Sequence, residues 1–181
     1  MTYNPEIHHR KSNRLPGYDY TQKGLYFVTL CTSGRECLFG DVDNGQMIMN
    51  GMGKVVAKEW IKTGEIRANV ELDEWVIMPN HFHAIVGITD GVCPHRRGDL
   101  RSLLLAPTGP LSKSIGAIMA GFKSAVTRQV NVMRQTPGLP VWQRNYWDHV
   151  IRDEEDFNRI REYIQTNPLR WELDALHRES T

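Results

Sequence analysis

The chain has 181 residues, of which 40% are hydrophobic and 24% are charged, and its formal net charge is +1. This length suits one domain with its own core, and the near-neutral charge argues against a protein that merely coats nucleic acid. No apolar run reaches the roughly 18 residues of a membrane span. The N-terminus lacks a signal-peptide core, and three cysteines without a Cys-x-x-Cys spacing favour a reducing compartment. We therefore expect a cytoplasmic protein.

The predicted elements follow in the order strand, helix, strand, strand, helix, strand, helix. They cover residues 25–31, 53–63, 70–78, 81–88, 112–132, part of 141–151, and 153–166. This order favours an α+β domain with helices packed on an antiparallel sheet, close to a ferredoxin-like arrangement. The domain is predicted to span residues 25–171, with an arm over 1–24 and a tail over 172–181.

Local residue types predict where several elements begin and end. Turn residues over 43–45 suggest a short hairpin. Asp153 is a predicted N-cap of the last helix. Pro168 should end that helix, because the residue before a proline avoids helical geometry.

Two histidines, His81 and His83, open the second strand of a predicted hairpin. Alternation places them on one face, roughly 7 Å apart, with Phe82, Ala84 and Val86 on the other. Two imidazoles so placed can converge on one metal ion. Because an isolated His-x-His pattern is common, two unrelated histidines remain an open alternative on spacing alone.

The last predicted helix carries Tyr163 and Asn167 four residues apart, and hence on one side. Phe157, Ile160 and Ile164 form its buried stripe. If the side of Tyr163 faces the metal, Asn167 is a neutral oxygen ligand and Tyr163 a nucleophile beside it. A tyrosine packed at the helix edge is the alternative that spacing leaves open.

Positive charge is uneven, with six basic residues and one acidic residue over positions 96–128. Such a segment can bind phosphate locally, although charge alone equally fits a solvated surface. Aromatic residues lie nearby at positions 142, 146 and 147; unpaired bases stack on such rings, but we expect most of them to be core. The candidate DNA-binding residues are Arg96, Arg97, Lys123, Arg128, Tyr146 and Trp147.

The His81-Phe82-His83 motif resembles the histidine–hydrophobic–histidine motif of the HUH endonuclease superfamily. Residues 163–168 resemble the nucleophile helix of its single-tyrosine transposases. Three further segments resemble the REP-associated tyrosine transposases, whose name refers to repetitive extragenic palindromes; these are residues 17–29, 122–124 and 146–154. The matches run in order from about residue 10 to about residue 171, whereas residues 91–108 match no motif.

This resemblance implies a ferredoxin-like or RRM-like fold and a metal-dependent endonuclease and strand transferase of DNA transposition. Its substrate would be single-stranded or hairpin DNA, cut through a covalent phosphotyrosine intermediate. By motif, Tyr163 is the nucleophile, and His81, His83 and Asn167 hold the metal, although insertion-sequence relatives often have Gln at the last position. A monomer and a homodimer both fit.

The chemistry explains what else the site needs. A free tyrosine has a pKa of about 10, so its attack needs help from a metal or from basic side chains. Lys123 and Arg159 are candidates, Arg159 because it precedes Tyr163 by four helical residues. Two imidazoles, an amide oxygen and phosphate oxygens suit Mg²⁺ or Mn²⁺ better than Zn²⁺.

Two other functions stay open. One is a non-catalytic nucleic-acid-binding module with an RRM-like sheet. The other is a zinc hydrolase in which a third histidine, such as His149, completes a site with His81 and His83, although no general-base glutamate adjoins that pair.

Overall fold

The structure, a computed structural model, describes residues 18–90 and 114–177. In chain order its elements are β1 (Gly24–Cys31), β2 (Gly40–Asp43), β3 (Gln46–Met49), α1 (Gly51–Ile66), β4 (Val70–Met78), β5 (His81–Ile88), α2 (Ile115–Met133), β6 (Trp147–Ile151) and α3 (Glu154–Thr166), followed by a 3₁₀ helix (Pro168–Leu173). Among the described residues, no helix has the length and hydropathy of a membrane span.

Four strands form the main sheet in the order β4-β5-β1-β6, and every neighbouring pair is antiparallel. The first and third strands of this sheet in chain order are therefore central. Helix α1 connects β1 to β4, and α2 connects β5 to β6, which is the ferredoxin-like connectivity. The predicted α+β class and antiparallel sheet are confirmed.

The two faces of the sheet carry separate hydrophobic clusters, because successive strand residues point to opposite sides. Phe82, Ala84 and Val86 of β5 join the large cluster under α1 and α2. Ile85 joins the smaller cluster, which includes Ile160 of α3 on the opposite face. This is the alternation predicted for β5, and it puts both histidines on the α3 face.

A β2–β3 hairpin precedes α1 and forms a separate two-stranded sheet. Its turn residues Asn44 and Gly45 have φ values of 50° and 73°, as a tight hairpin turn requires. The predicted hairpin is therefore confirmed. Asparagine and glycine tolerate this left-handed conformation better than other residues.

The structure tests the predicted N-cap and the predicted end of α3. Asp153 is the N-cap, and its side chain accepts a hydrogen bond of 2.8 Å from the Asp156 amide. The helix ends at Thr166 as predicted, but not because the residue before Pro168 avoids helical geometry. Asn167 keeps helical geometry (φ −56°, ψ −44°), and Pro168 opens a 3₁₀ helix at a position that needs no amide donor.

Replacing Phe82 with Ala should lower the free energy of unfolding by about 3–5 kcal/mol. Its buried ring packs against Trp60 and Phe122, at centroid distances of 5.0 and 5.4 Å. Val132→Ala on α2 is the control, because this side chain is 74% exposed and its loss should change stability by less than about 0.5 kcal/mol. Urea denaturation of both variants measures the difference, and similar effects would contradict the assigned core.

Candidate metal centre and nucleophile

The paired histidines His81 and His83 are buried at the start of β5, between β4 and β1. Their side chains lie on the α3 face with ring centroids 4.6 Å apart. The strand register sets Cys31 of β1 opposite His81 and Thr29 opposite His83. The sheet thus places two imidazoles side by side in its interior.

His81 lies between two amide oxygens. Its Nδ1 is 2.8 Å from Oδ1 of Asn80, and its Nε2 is 3.3 Å from Oδ1 of Asn167. Burial lowers the pKa of His81 to about 4, and Arg35 adds to this, against the opposing effects of Asp174 and Asn167. The ring is therefore neutral at pH 7 with one N–H. The second nitrogen then faces an amide oxygen with no proton between their two lone pairs. A cation bound between them would relieve this repulsion.

A carboxylate completes the cluster, because Asp174 offers a ligand atom beside His81 and His83. The three ligand atoms lie within 4.8 Å of one another, and no other such group of His, Cys, Asp or Glu occurs in the described part of the chain. Asn167 also touches Asp174, donating from Nδ2 to Oδ2 over 3.0 Å. These residues could hold a divalent metal.

Sequence reasoning missed Asp174, which lies within the predicted tail of residues 172–181. No motif marks it, and its position depends on the 3₁₀ helix (Pro168–Leu173) that turns the chain back toward β5. Its other oxygen accepts a 2.6 Å hydrogen bond from the Leu176 amide. The chain beyond residue 171 therefore contributes to the site.

His83 connects the metal cluster to the predicted nucleophile. Its Nδ1 is 2.8 Å from the Thr29 hydroxyl, and its Nε2 is 3.2 Å from the hydroxyl of Tyr163. Burial and the neighbouring His81 hold the pKa of His83 well below its usual range. His83 is therefore a neutral imidazole whose two nitrogens both meet hydroxyl groups.

Tyr163 projects from the side of α3, while Ile160 and Ile164 anchor the helix to the sheet. Its side chain is 38% exposed, and its ring meets Phe27 edge-on at 6.1 Å. Burial, chiefly, and Asp174 raise the pKa of Tyr163, while Asn167 opposes the shift. The side chain is thus a phenol at neutral pH, and it needs outside help to ionise.

The predicted basic helpers of Tyr163 have other partners. Lys123 lies on α2, and its ammonium donates to the carbonyls of Gln143 and Arg144 over 2.6 and 3.1 Å. Arg159 is exposed and pairs with Asp156. Neither cation is therefore bonded to the phenol. The sequence does not reveal this, because it does not show which acceptors lie within reach of each cation.

An open cavity of about 870 Å³ adjoins Tyr163. Trp147 on β6 is 44% exposed in its wall, and its ring is parallel to that of His149 at 5.9 Å. Trp142 is core, and Tyr146 is half-buried. As predicted, only part of this aromatic group remains open to stack on a base.

The remaining predicted residues lie elsewhere. His149 is not in the metal cluster, because its Nε2 is bound to Asp156 over 2.6 Å, so a zinc site completed by His149 is wrong. Arg128 is exposed on α2, across the sheet from Tyr163. Arg96 and Arg97 lie outside the described residues.

Removing the charge of Asp174 tests its place in the cluster. Asp174→Asn should weaken Mn²⁺ binding at least about tenfold, since it replaces a charged oxygen ligand by a neutral one. Asp41→Asn, an exposed position on β2, should bind Mn²⁺ like the unchanged protein. Titration followed by electron paramagnetic resonance measures both, and equal affinities would remove Asp174 from the ligand set.

Three curated relatives match the sequence, whereas no protein-family model does. The chain is 43% identical to an uncharacterized protein of Haemophilus influenzae, over 97% of each chain. A second protein of that organism, provisionally named a REP-associated tyrosine transposase, is 34% identical over 62 residues, 29% of this chain and 35% of that one. The REP-associated tyrosine transposase of Escherichia coli is 20% identical over 118 residues, 60% of this chain and 56% of that one.

A solved structure matches the fold. It is a REP-associated tyrosine transposase bound to a REP hairpin, with a TM-score of 0.52 and 19% identity, over 87% of this chain and 74% of that one. This likeness shows a shared fold, and the named relatives match segments of the same sequence. The chain is thus similar to REP-associated tyrosine transposases in segments of its sequence and in its fold.

Proposed function

We propose that this protein is a metal-dependent single-strand DNA endonuclease and strand transferase, which acts on palindromic hairpin DNA through a covalent intermediate on Tyr163. The observation that carries the proposal is the 3.2 Å contact between the Tyr163 hydroxyl and His83 Nε2, at the rim of a metal-binding cluster. The solved relative is bound to a REP hairpin, which supports hairpin DNA as the substrate.

The ligand set supports a divalent cation such as Mg²⁺ or Mn²⁺. His81, His83 and Asp174 would hold it, with Asn167 Oδ1 facing the same His81 nitrogen. Mixed nitrogen and oxygen ligands without thiolate suit Mn²⁺ well, and Mg²⁺ through its oxygen ligands. When bound, the cation polarises a non-bridging phosphate oxygen and stabilises the charge that develops on it.

Tyr163 is suited to attack phosphorus because it lines the cavity and its hydroxyl contacts His83 of the metal cluster. The phenolic oxygen forms a bond to phosphorus as the bond from phosphorus to the departing strand oxygen breaks. The phenol loses one proton and the departing oxygen gains one, so the step is balanced. The new phosphodiester retains the energy of the old one, and the reverse step can join strands without a nucleotide cofactor.

His83 is a poor base for this step despite its contact with Tyr163. Burial lowers the pKa of His83 well below 6.5, whereas it raises the pKa of Tyr163 above 10. Transfer of the phenol proton to His83 is therefore unfavourable, because the two shifts move the pKa values of donor and acceptor further apart. We infer that this contact places the phenol beside the metal site in the metal-free protein, and that the proton leaves to solvent or to the substrate.

The cavity beside Tyr163 suits an unpaired strand. Trp147 offers an exposed ring, and stacking of a base on such a ring is worth about 1–3 kcal/mol. Tyr146 and Arg159 line the same cavity. Lys123 holds the carbonyls of the neighbouring loop, so its contact with phosphate stays a prediction, like those of Arg96, Arg97 and Arg128.

A covalent protein–DNA adduct is the direct test. Unchanged protein with labelled single-stranded hairpin DNA and Mn²⁺ should give an adduct on a denaturing gel. Tyr163→Phe should abolish it, and His81→Ala with His83→Ala should reduce it at least about a hundredfold, since removing one catalytic group commonly costs that much. Tyr18→Phe, across the sheet, is the matched control and should form the adduct normally.

Other results of the same gel would point to other functions. Hairpin binding without any adduct would favour the non-catalytic module. An adduct that persists in Tyr163→Phe would keep the chemistry but reject the nucleophile.

The rate of adduct formation should rise with pH. Tyr163 has a pKa above 10, so below that value each pH unit increases the phenolate fraction about tenfold. His81, with a pKa of about 4, stays unprotonated above about pH 5 and adds no acid limb. Single-turnover rates between about pH 6 and pH 9 should therefore climb throughout, and a fall-off near pH 7 would contradict a phenol nucleophile.

A further inference from the structure

Asn80 closes the turn before β5 and is buried, with 1% of its surface exposed. Its carbonyl oxygen accepts from the Thr32 amide over 2.9 Å and lies 3.0 Å from the Thr32 hydroxyl, which also contacts the Glu36 carbonyl. Its side-chain Nδ2 donates to the backbone oxygens of Leu176 and Arg35, over 2.8 and 3.4 Å. Main chain and side chain are therefore both fixed.

These partners determine which way the Asn80 amide faces. Carbonyl oxygens only accept hydrogen bonds, so the NH₂ group must point at Leu176 and Arg35. The other end, Oδ1, then lies 2.8 Å from Nδ1 of His81. A reversed amide would lose both donated bonds and set three oxygens facing one another.

The fixed oxygen of Asn80 decides where His81 carries its proton. Oδ1 can only accept, so its contact of 2.8 Å favours a hydrogen on Nδ1. On the far side of the ring, Asn167 donates its own NH₂ to Asp174 over 3.0 Å, which leaves Asn167 Oδ1 facing His81 Nε2 at 3.3 Å. A neutral ring has one proton for two acceptors, and the shorter contact, to Asn80, takes it.

We propose that Asn80 is a positioning residue that fixes His81 in the Nδ1–H tautomer, so that the Nε2 lone pair is available to a metal ion. This inference rests on the metal site of the proposed function. Hydrogen bonds to the second nitrogen of a ligating histidine set its tautomer and orientation, and their loss typically costs about 10–100-fold in metal affinity.

The same amide joins two candidate ligands. Asn80 donates to the oxygen of Leu176, and the Leu176 amide donates to Oδ1 of Asp174 over 2.6 Å. Asn80 thus contacts His81 directly and the turn that carries Asp174. One side chain therefore helps to fix the positions of two candidate ligands, His81 on β5 and Asp174 after α3.

The experiment compares Asn80→Leu, which removes both ends of the amide, with Asn80→Asp, which keeps an acceptor for Nδ1. Asn158→Leu, at an exposed position on α3, is the control. Two readouts do not depend on nuclease activity. Nitrogen-15 NMR of metal-free protein reports the His81 tautomer, and Mn²⁺ titration reports affinity, with near-ultraviolet circular dichroism as the check on folding.

Asn80→Leu should move the His81 proton to Nε2, where Asn167 Oδ1 accepts it, and should weaken Mn²⁺ binding about 10–100-fold. Asn80→Asp should keep the Nδ1–H tautomer and lose less affinity than Asn80→Leu, although it gives up the bond to Leu176. Asn158→Leu should match the unchanged protein. An unaltered tautomer in Asn80→Leu would overturn the proposal. So would equal losses of affinity in Asn80→Asp and Asn80→Leu, since that pattern indicates a purely structural role.

The two proposals fail in different ways. If the unchanged protein shows the Nδ1–H tautomer but binds no Mn²⁺, the metal site of the proposed function is rejected, along with the purpose assigned to Asn80. If it binds Mn²⁺ but the tautomer does not respond to Asn80→Leu, only the role of Asn80 is rejected.

Discussion

Two neutral imidazoles buried 4.6 Å apart in the middle of a sheet are the constraint around which the site is organised. A buried polar ring is costly unless its nitrogens have partners, and a charged one costs more. The partners come from four places in the chain: Thr29 on β1, Asn80 in the turn before β5, Tyr163 on α3 and Asn167 after it. Satisfying the histidines therefore requires these elements to converge.

The two faces of the sheet have different roles: one carries most of the hydrophobic core and the other carries the site. The larger cluster, under α1 and α2, buries most of the aromatic core, including Trp60, Phe82 and Phe122. The α3 face has a smaller apolar cluster, and polar side chains take the rest of its area. Polar groups can occupy one face of the sheet because the other face supplies most of the apolar burial that stabilises the domain.

Much of the sheet could be predicted from the sequence because its signals are local. The bounds of β4 and β5 match the predictions, since a Pro-Asn turn separates two apolar runs. The side-by-side histidines follow from strand alternation. That Tyr163 and Asn167 reach the same site follows from helical spacing, once α3 is known to cover the histidine face.

What could not be predicted depends on which elements meet in space. Asp174 reaches the cluster through a 3₁₀ helix that no periodic pattern marks. Lys123 and Tyr163 lie on elements that pack on opposite faces, which the linear sequence does not reveal. His149 shares the α3 face, but a nearer carboxylate, Asp156, binds it.

The burial of β5 bears on how often the histidines and the tyrosine of the site become exposed by local opening of the fold. All eight residues of β5 are buried, and the strand is hydrogen-bonded to a neighbour on each side. Exposing His81 or His83 to solvent would break the hydrogen bonds of β5 to both β4 and β1. The backbone amide hydrogens of these residues should therefore exchange with solvent only when the whole domain opens. Helix α3 lies over the smaller apolar cluster and is also held by polar contacts such as Arg161–Asp73 and Gln165–Glu74. We therefore expect the backbone amides beside Tyr163 to exchange in smaller openings than those of the two histidines.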